Sequence, residues 1–228
     1  MRIIGLLAAL AGLIVLPMVS SGYVIYLANL LLTFTVLCLG MHIVIGEAGQ
    51  FSLAQAAFYG IGIYTSGLAN AAFGWPFPFS VLASGLVAAL VGLCIGTLAL
   101  RMRDIYLALA TFAFGEAMQW VFLSWTPVTG GPNGLRIPPA SLFGFEIISD
   151  RQAYPVVLAI TLLMIWATVV IARSRLGRAF RAVRESEVAA LAMGVPVRTT
   201  KLAAFALSAF FAGVARRHVR ALFDLHPS

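Results

Sequence analysis

Long runs of apolar residues, separated by short polar segments, repeat along almost the whole chain. Each run is close to the roughly 20 residues that an α-helix needs to cross the hydrocarbon core of a bilayer. The pattern predicts an all-α fold, a polytopic transmembrane helical bundle of about six to seven spans. The candidate spans are residues 3–19, 23–45, 53–73, 79–100, 105–125, 153–172 and 202–215.

The first run could also be the apolar core of a signal peptide, because Arg2 precedes it. It is long for such a core, and the second run follows almost at once. We therefore interpret residues 3–19 as a span and residues 1–215 as one transmembrane domain, within which 173–201 is a polar loop.

The basic residues between the runs predict the orientation of the chain. Arg101 and Arg103 separate the fourth and fifth runs, and seven of the 15 Lys and Arg residues lie within 173–201. Cytoplasmic loops are enriched in Lys and Arg. We therefore expect 101–104 and 173–201 in the cytoplasm, 126–152 outside, and a cytoplasmic N-terminus. This count holds only if 46–52 adds no further crossing.

The composition narrows the class of protein further. The chain of 228 residues is 61% hydrophobic and only 10% charged, which excludes a soluble globular domain and a disordered chain. Its two cysteines exclude a disulfide scaffold. The net charge is +7, and the charged residues lie between the apolar runs. They therefore indicate membrane topology and contact with anionic lipid, and no nucleic acid partner is expected.

The sequence contains no pattern typical of catalysis. Lys201 is its only lysine and follows Thr200, so a Gly-Lys-Ser/Thr phosphate loop cannot form. Metal-ligand spacings and activated nucleophile motifs are absent as well. We expect no enzyme activity, no metal and no cofactor, and any ATP-driven work would need another chain to bind the nucleotide.

The segment 46–62 places polar side chains beside several glycines. Gly46, Gln50, Ser52 and Gln55 are candidate residues of a translocation pathway, because irregular backbone at membrane depth is tolerated only within protein or beside a water-filled cavity. The alternative is a cytoplasmic turn followed by a helix that Ser52 caps. The residues alone leave both interpretations open.

Glu116 lies near the middle of a predicted span. An acid at the bilayer centre costs roughly 2.5–3.5 kcal/mol on insertion scales. We therefore expect Glu116 to face the bundle interior, to be protonated or to be paired. Either a pathway residue or a structural hydrogen bond to a neighbouring helix would account for it.

A stripe of small residues follows one face of the run 79–100. Gly85, Ala89, Gly92 and Gly96 share that face, and Gly92 and Gly96 form a GxxxG step. Small residues let helix backbones approach closely. The stripe predicts ordinary helix packing within the bundle.

The polar loop 173–201 contains the signals of one short helix. Ser186 is a suitable N-cap, Glu187 would lie at the positive helix end, and Gly194 suits the position after the helix. Leu191 and Met193 would then be exposed outside the membrane. Such a helix is suited to a groove on a partner.

Four stretches together resemble the LivM-type permeases of branched-chain amino acid ABC importers, a family of inner-membrane permeases. They are GEAGQFSLAQAAFYGIGIYTSGL at 46–68, RMRDIYLALATFAFGEAMQ at 101–119, VTGGPNGLRIPP at 128–139, and SRLGRAFRAVRESEVAALAMGVPVRTTKLAAFALSAFFAG at 174–213. Their order and spacing fit across residues 20–213.

The resemblance implies a multi-pass permease of the bacterial inner membrane. Its partners would be two ATP-binding subunits, a second homologous permease and a periplasmic substrate-binding protein, and ATP would be bound by the partner subunits. Segment 186–194 would be the coupling helix, and Gln50, Ser52, Gln55 and Glu116 would lie near the pathway. The coupling residues would be Glu187, Ala189, Ala190, Leu191, Met193 and Gly194.

Other functions remain compatible with the residues. Related importer permeases for urea and short amides look similar, so the resemblance indicates the family and leaves the substrate open. From a different class, an ion-coupled secondary transporter or channel could use Glu116 as its ion site.

The end of the chain departs from the family pattern. Residues 216–228 form an atypical basic tail, RHVRALFDLHPS after Arg216, where the family continues with apolar segments. This departure suggests a truncated or frame-shifted product, and the alternative is a genuine short variant.

Overall fold

The computed structural model describes residues 17, 21–102, 104–133, 140–142, 145–147 and 149–215. The predicted span at 3–19 and the basic tail at 216–228 therefore lie outside the described residues, apart from residue 17.

The described residues are almost entirely helical, as the apolar pattern predicts. A π-helical turn, His42–Glu47, directly follows the helix Gly22–Met41, and a 3₁₀ turn, Gly131–Asn133, follows the short helix Thr126–Thr129. Two three-residue strands, β1 (Ala140–Leu142) and β2 (Phe145–Ile147), pair antiparallel. The α-helices are α1 (Gly22–Met41), α2 (Gln55–Phe73), α3 (Phe77–Ala99), α4 (Asp104–Ser124), α5 (Thr126–Thr129), α6 (Asp150–Arg173), α7 (Arg175–Glu185), α8 (Glu187–Ala192) and α9 (Val197–Val214).

Five helices in the described part are long and apolar enough to cross a membrane. They are Gly22–Glu47, Phe77–Ala99, Ile105–Ser124, Asp150–Arg173 and Val197–Val214. The predicted span at 53–73 corresponds to α2, which has 19 residues but is less apolar. Its polar Ser66 and Asn70 are buried among the other helices, so α2 belongs to the interior of the bundle.

Helix α9 lies at the centre of this bundle. It packs against α1, α2 and α3, and it is the most buried of the five membrane-length helices. Phe205, Ala209 and Ala212 of α9 are completely buried. Helix α6 packs along α1, while α4 lies at the edge and is the least buried of the five. The chain therefore surrounds α9 and leaves α4 open on one side.

The small-residue stripe on α3 does pack against a neighbouring helix, as predicted. A Cβ on Gly92 would lie 2.5 Å from the Cβ of Ala209, and a Cβ on Gly96 would lie 3.2 Å from the Cβ of Phe205. The buried alanine on this face is Ala88, whereas Ala89 is only half-buried. Close contact between α3 and α9 thus depends on the missing side chains of glycine.

The contacts between helix ends fall into two groups at opposite ends of the bundle, which agrees with the predicted order of crossings. At one end Arg181 Nη1 lies 2.9 Å from Glu47 Oε2, and the Lys201 ammonium donates to the Ala99 carbonyl. At the other end the Asn29 amide donates to the carbonyl of Asp150. Segments 101–104 and 173–201 therefore share the end at which α1 finishes, and 46–52 adds no crossing.

Candidate functional site

The chain turns back into the bundle immediately after the π-helical turn. Gly49 adopts a left-handed conformation, with φ of 66°, and the Gln50 N–H donates to the Val44 carbonyl at 2.9 Å. No regular structure follows until α2 begins at Gln55. The N-cap of α2 is Ala54, so the alternative in which Ser52 caps this helix is wrong.

This irregular segment is only partly buried, because Gln50 and Ser52 are buried whereas Phe51 and Leu53 are more than half exposed, and its polar backbone needs partners. The Leu53 N–H donates to Thr111 Oγ1 at 3.0 Å, and the Gln55 amide donates to the Leu37 carbonyl at 3.0 Å. Leu37 lies about 15 Å from Glu47 along the helix axis, at a rise of about 1.5 Å per residue. Helix α2 therefore starts well within the bundle, a geometry that favours the broken-helix interpretation.

Gln55 joins three helices at this depth. Its Nε2 donates to Leu37 of α1, and its Oε1 accepts a hydrogen bond from Ser208 Oγ of α9 at 3.0 Å. A Cβ on Gly40 would lie 2.6 Å from that Nε2, so a glycine is needed opposite the amide. Gln50 and Ser52 are also buried.

Gly46 lies away from Gln55, at the basic end of the bundle. Its carbonyl accepts a hydrogen bond from the Arg184 guanidinium, and Arg181 binds both Glu47 and the carbonyl of Ala172. The candidate pathway residues therefore separate. Gly46 holds α7 against the end of α1, and Gln50 lines a cavity beside the start of α8 at the same end, whereas the side chain of Gln55 reaches the interior of the bundle.

Replacing Gly49 by alanine should weaken this junction. The new Cβ would lie 2.6 Å from Arg184 Cγ, and the left-handed backbone would be strained as well. We expect the free energy of unfolding in detergent to fall by about 2–3 kcal/mol. Gly74→Ala is the matched control, because Gly74 has a similar φ and no atom within 4 Å of its Cβ position. Equal losses in the two variants would contradict the proposed contact.

Glu116 does not face the bundle interior, contrary to that part of the expectation. Its side chain lies on the exposed face of α4, together with Gln119 and Trp120. No hydrogen bond or ion pair joins Glu116 to another described residue. An acid at this membrane depth needs a polar environment outside the described part of this chain.

The predicted short helix in the polar loop is present as α8. Ser186 Oγ accepts a hydrogen bond from the Ala189 N–H at 3.3 Å, which confirms the predicted N-cap. At the other end Val195 N–H donates to the Ala190 carbonyl and Gly194, with φ of 79°, ends the helix. This pair of features is a Schellman motif, as expected from Gly194.

Helix α8 is anchored on one side and exposed on the other. Ala190 is buried against Val183 of α7 and Val197 of α9. Val188, Leu191 and Met193 are 76%, 60% and 83% exposed. Three large apolar side chains thus project from the basic end of the bundle, and a partner groove would remove them from water.

Sequence reasoning missed the contact that holds the start of α8. Lys201 Nζ lies 2.6 Å from Glu187 Oε1 and donates to the Ala99 carbonyl at 3.3 Å. Lys201 is only 3% exposed. The sequence did contain a signal for this contact. Its only lysine lies near the start of an apolar span, 14 residues after the acidic residue that begins the predicted short helix.

The fold and the site define a polytopic helical membrane protein whose basic end exposes a short apolar helix, the architecture of a membrane permease. The family described as "Branched-chain amino acid transport system / permease component" matches residues 23–224. The chain belongs to this family, and the match includes nine residues of the tail that we expected to depart from it.

Two curated relatives carry the name "High-affinity branched-chain amino acid transport system permease protein LivM". The protein of Escherichia coli K12 is 35% identical and that of Salmonella typhimurium LT2 is 34% identical, each over 92% of this chain. The alignments cover 55% of each relative, so the chain spans about half of their length. No solved structure gives a significant match.

Family membership and the apolar helices together make the chain a multi-pass protein of the inner membrane. Its family is one of transport permease components rather than of enzymes. In the described residues no group of three or more His, Cys, Asp or Glu side chains could hold a metal ion.

Proposed function

We propose that this chain is the permease subunit of an ATP-driven importer that translocates branched-chain amino acids across the inner membrane. The observation that carries the proposal is α8, a helix capped at both ends that presents Val188, Leu191 and Met193 at the basic end. A helix so exposed is suited to a groove on a separate ATP-binding subunit.

Some of the coupling residues would anchor α8 to the bundle, and others would contact the partner subunit. Ala190 seats α8 on the bundle, and Gly194 ends the helix so that the chain can enter α9. Leu191 and Met193 would fill the partner groove, and the small side chain of Ala189 would let the partner approach. Glu187 would hold the first turn against α9.

The ATP itself would be bound by partner subunits. Lys201, the only lysine of the chain, is buried between Glu187 and Ala99 and is not available to a phosphate. Two ATP-binding subunits, a second homologous permease and a periplasmic substrate-binding protein would complete the importer, and this chain would need no cofactor of its own.

The pathway would run between this chain and the second permease, along α4. Glu116 and Gln119 place polar groups on the open face of α4, and a homologous partner would shield them from lipid. The irregular segment around Gln50 and Ser52 supports α4 through the bond between Leu53 and Thr111. Movement of this segment would therefore shift the lining of the pathway.

Reconstitution in proteoliposomes tests this proposal. With both permeases, the ATP-binding subunits and the binding protein present, we expect leucine uptake that requires ATP. Omission of the ATP-binding subunits should abolish uptake. Complexes that never retain an ATP-binding subunit would contradict the proposal, and uptake of urea or a short amide in place of leucine would reassign the substrate.

An ion-coupled transporter is the second candidate, because Glu116 is exposed at membrane depth without a partner among the described residues. In that case the purified chain alone would transport substrate down an ion gradient, and Glu116→Gln would stop it. An importer permease predicts no uptake by the chain alone.

A further inference from the structure

Lys201 and Glu187 connect three elements at the basic end. Lys201 lies in the second turn of α9, Glu187 in the first turn of α8, and the carbonyl of Ala99 at the end of α3. The ammonium is 2.6 Å from the carboxylate and 3.3 Å from the carbonyl. A single side chain therefore links the exposed helix to the two helices that form the centre of the bundle.

The electrostatics of the three groups favour a persistent contact. The last carbonyls of a helix lack partners within the helix and lie at its negative end, so the end of α3 favours a cation. Glu187 lies at the positive end of α8. Because Lys201 is 3% exposed, loss of Glu187 would leave a buried ammonium without its counter-charge, which is strongly unfavourable.

Apart from the Glu187–Lys201 pair, few contacts hold α8 in position on the bundle. A cavity of about 310 Å³ lies between the start of α8 and the turn at 49–51, and another of about 720 Å³ lies between α8 and the end of α3. Outside the pair, α8 is held mainly by Ala190 and by its links to α7 and α9. Space on both sides means that apolar packing alone does not lock the helix.

We infer that the Glu187–Lys201 pair is a strut that transmits displacement of α8 to α9 and α3. The inference rests on the proposed function, since it assumes that a partner pushes α8. Both residues are positioning residues, and the strut stays closed throughout the transport cycle. Because α9 contacts α1, α2 and α3, a push delivered at Lys201 reaches the whole bundle as a rigid-body movement.

Labelling of the native lysine tests whether the strut stays closed. Lys201 is the only lysine, so an amine-reactive reagent reports on it without any substitution, and the N-terminal amine serves as the reference. We expect Lys201 to label at least about 100-fold more slowly than the reference, both in nucleotide-free and in vanadate-trapped complexes. Rapid labelling in either state would overturn the strut.

The consequence of breaking the strut is tested with Lys201→Met, which keeps the apolar stem and removes the charge. In reconstituted complexes we expect ATP hydrolysis to continue while leucine uptake falls by at least about ten-fold. The matched control is Arg198→Met, which removes the same charge from an exposed position in the first turn of α9. A parallel loss of hydrolysis and uptake, or equal effects of both variants, would overturn the inference.

A cross-link provides a second route that does not depend on the methionine variant folding. In a background without Cys38 and Cys94, the Glu187→Cys/Lys201→Cys pair should uncouple hydrolysis from uptake, and a short thiol cross-linker should restore coupling. A cross-link that blocks uptake, or fails to restore it, would contradict a permanently closed strut. If wild-type complexes retain no ATP-binding subunit, the proposed function fails, and labelling of the purified chain alone still decides whether the pair is closed.

Discussion

Replacing Gly213 by alanine should loosen the packing of three helices at once. A Cβ at this position would lie 2.6 Å from both the Cβ of Ala88 and the carbonyl oxygen of Ser84 in α3. Gly62 of α2 approaches from the other side, because its own Cβ would lie 2.6 Å from the Gly213 backbone. We expect the free energy of unfolding to fall by about 3 kcal/mol, and Gly213→Leu to prevent assembly of the folded bundle.

The matched control for this prediction is Gly115→Ala in α4. The nearest atom to a Cβ at Gly115 is the Leu53 carbonyl oxygen at 3.9 Å, which is ordinary contact. Alanine is favoured over glycine within helices by up to about 1 kcal/mol, so this variant should be as stable as the parent or slightly more stable. Denaturation in mixed micelles compares them, and equal stability of the two alanine variants would contradict the close contact among α2, α3 and α9.

Placing acids at Leu191 and Met193 should detach the ATP-binding subunits while leaving the chain folded. Both side chains project from α8, so neither supports the core of the bundle. Truncation of a hot-spot residue in a buried interface costs at least about 2 kcal/mol. For Leu191→Asp/Met193→Asp we expect affinity for the ATP-binding subunit to fall by at least about 100-fold, measured with the chain in nanodiscs.

The control for the acidic pair is Thr199→Asp, which adds an acid at the same end of the bundle but outside α8. Thr199 is exposed in the first turn of α9, where a negative charge is favourable. This variant should keep the parent affinity. Undiminished binding by the Leu191→Asp/Met193→Asp chain would show that α8 is not the docking helix.

The features that the sequence predicted well depend on neighbours along the chain. Ser186 and Gly194 act on backbone groups within a few residues, so their roles in starting and ending α8 could be predicted from their positions. The cytoplasmic placement of the basic segments stays a prediction, drawn from the basic residues between apolar runs. Close packing of α3 was predictable because glycines at helical spacing lie on one face.

The features that it could not predict depend on the rotation of each helix. Helices α1 and α3 are apolar on almost every side, so their sequences do not indicate which face meets a neighbour. The rotation of α4 was equally open: Glu116 was expected to face the interior, to be protonated or to be paired, and the structure places it on the open side of α4. The pathway roles of Gln50, Ser52, Gln55 and Glu116 remain predictions.

By itself the sequence determined that this chain is a helical membrane protein with a capped, exposed helix at its basic end, because length, hydropathy and capping are local properties. Only the tertiary structure decided that Gln55 bridges α1 and α9, and that Lys201 joins α8 to the ends of α9 and α3. Those contacts join residues far apart in the chain, and they exist because the bundle brings them within hydrogen-bonding distance.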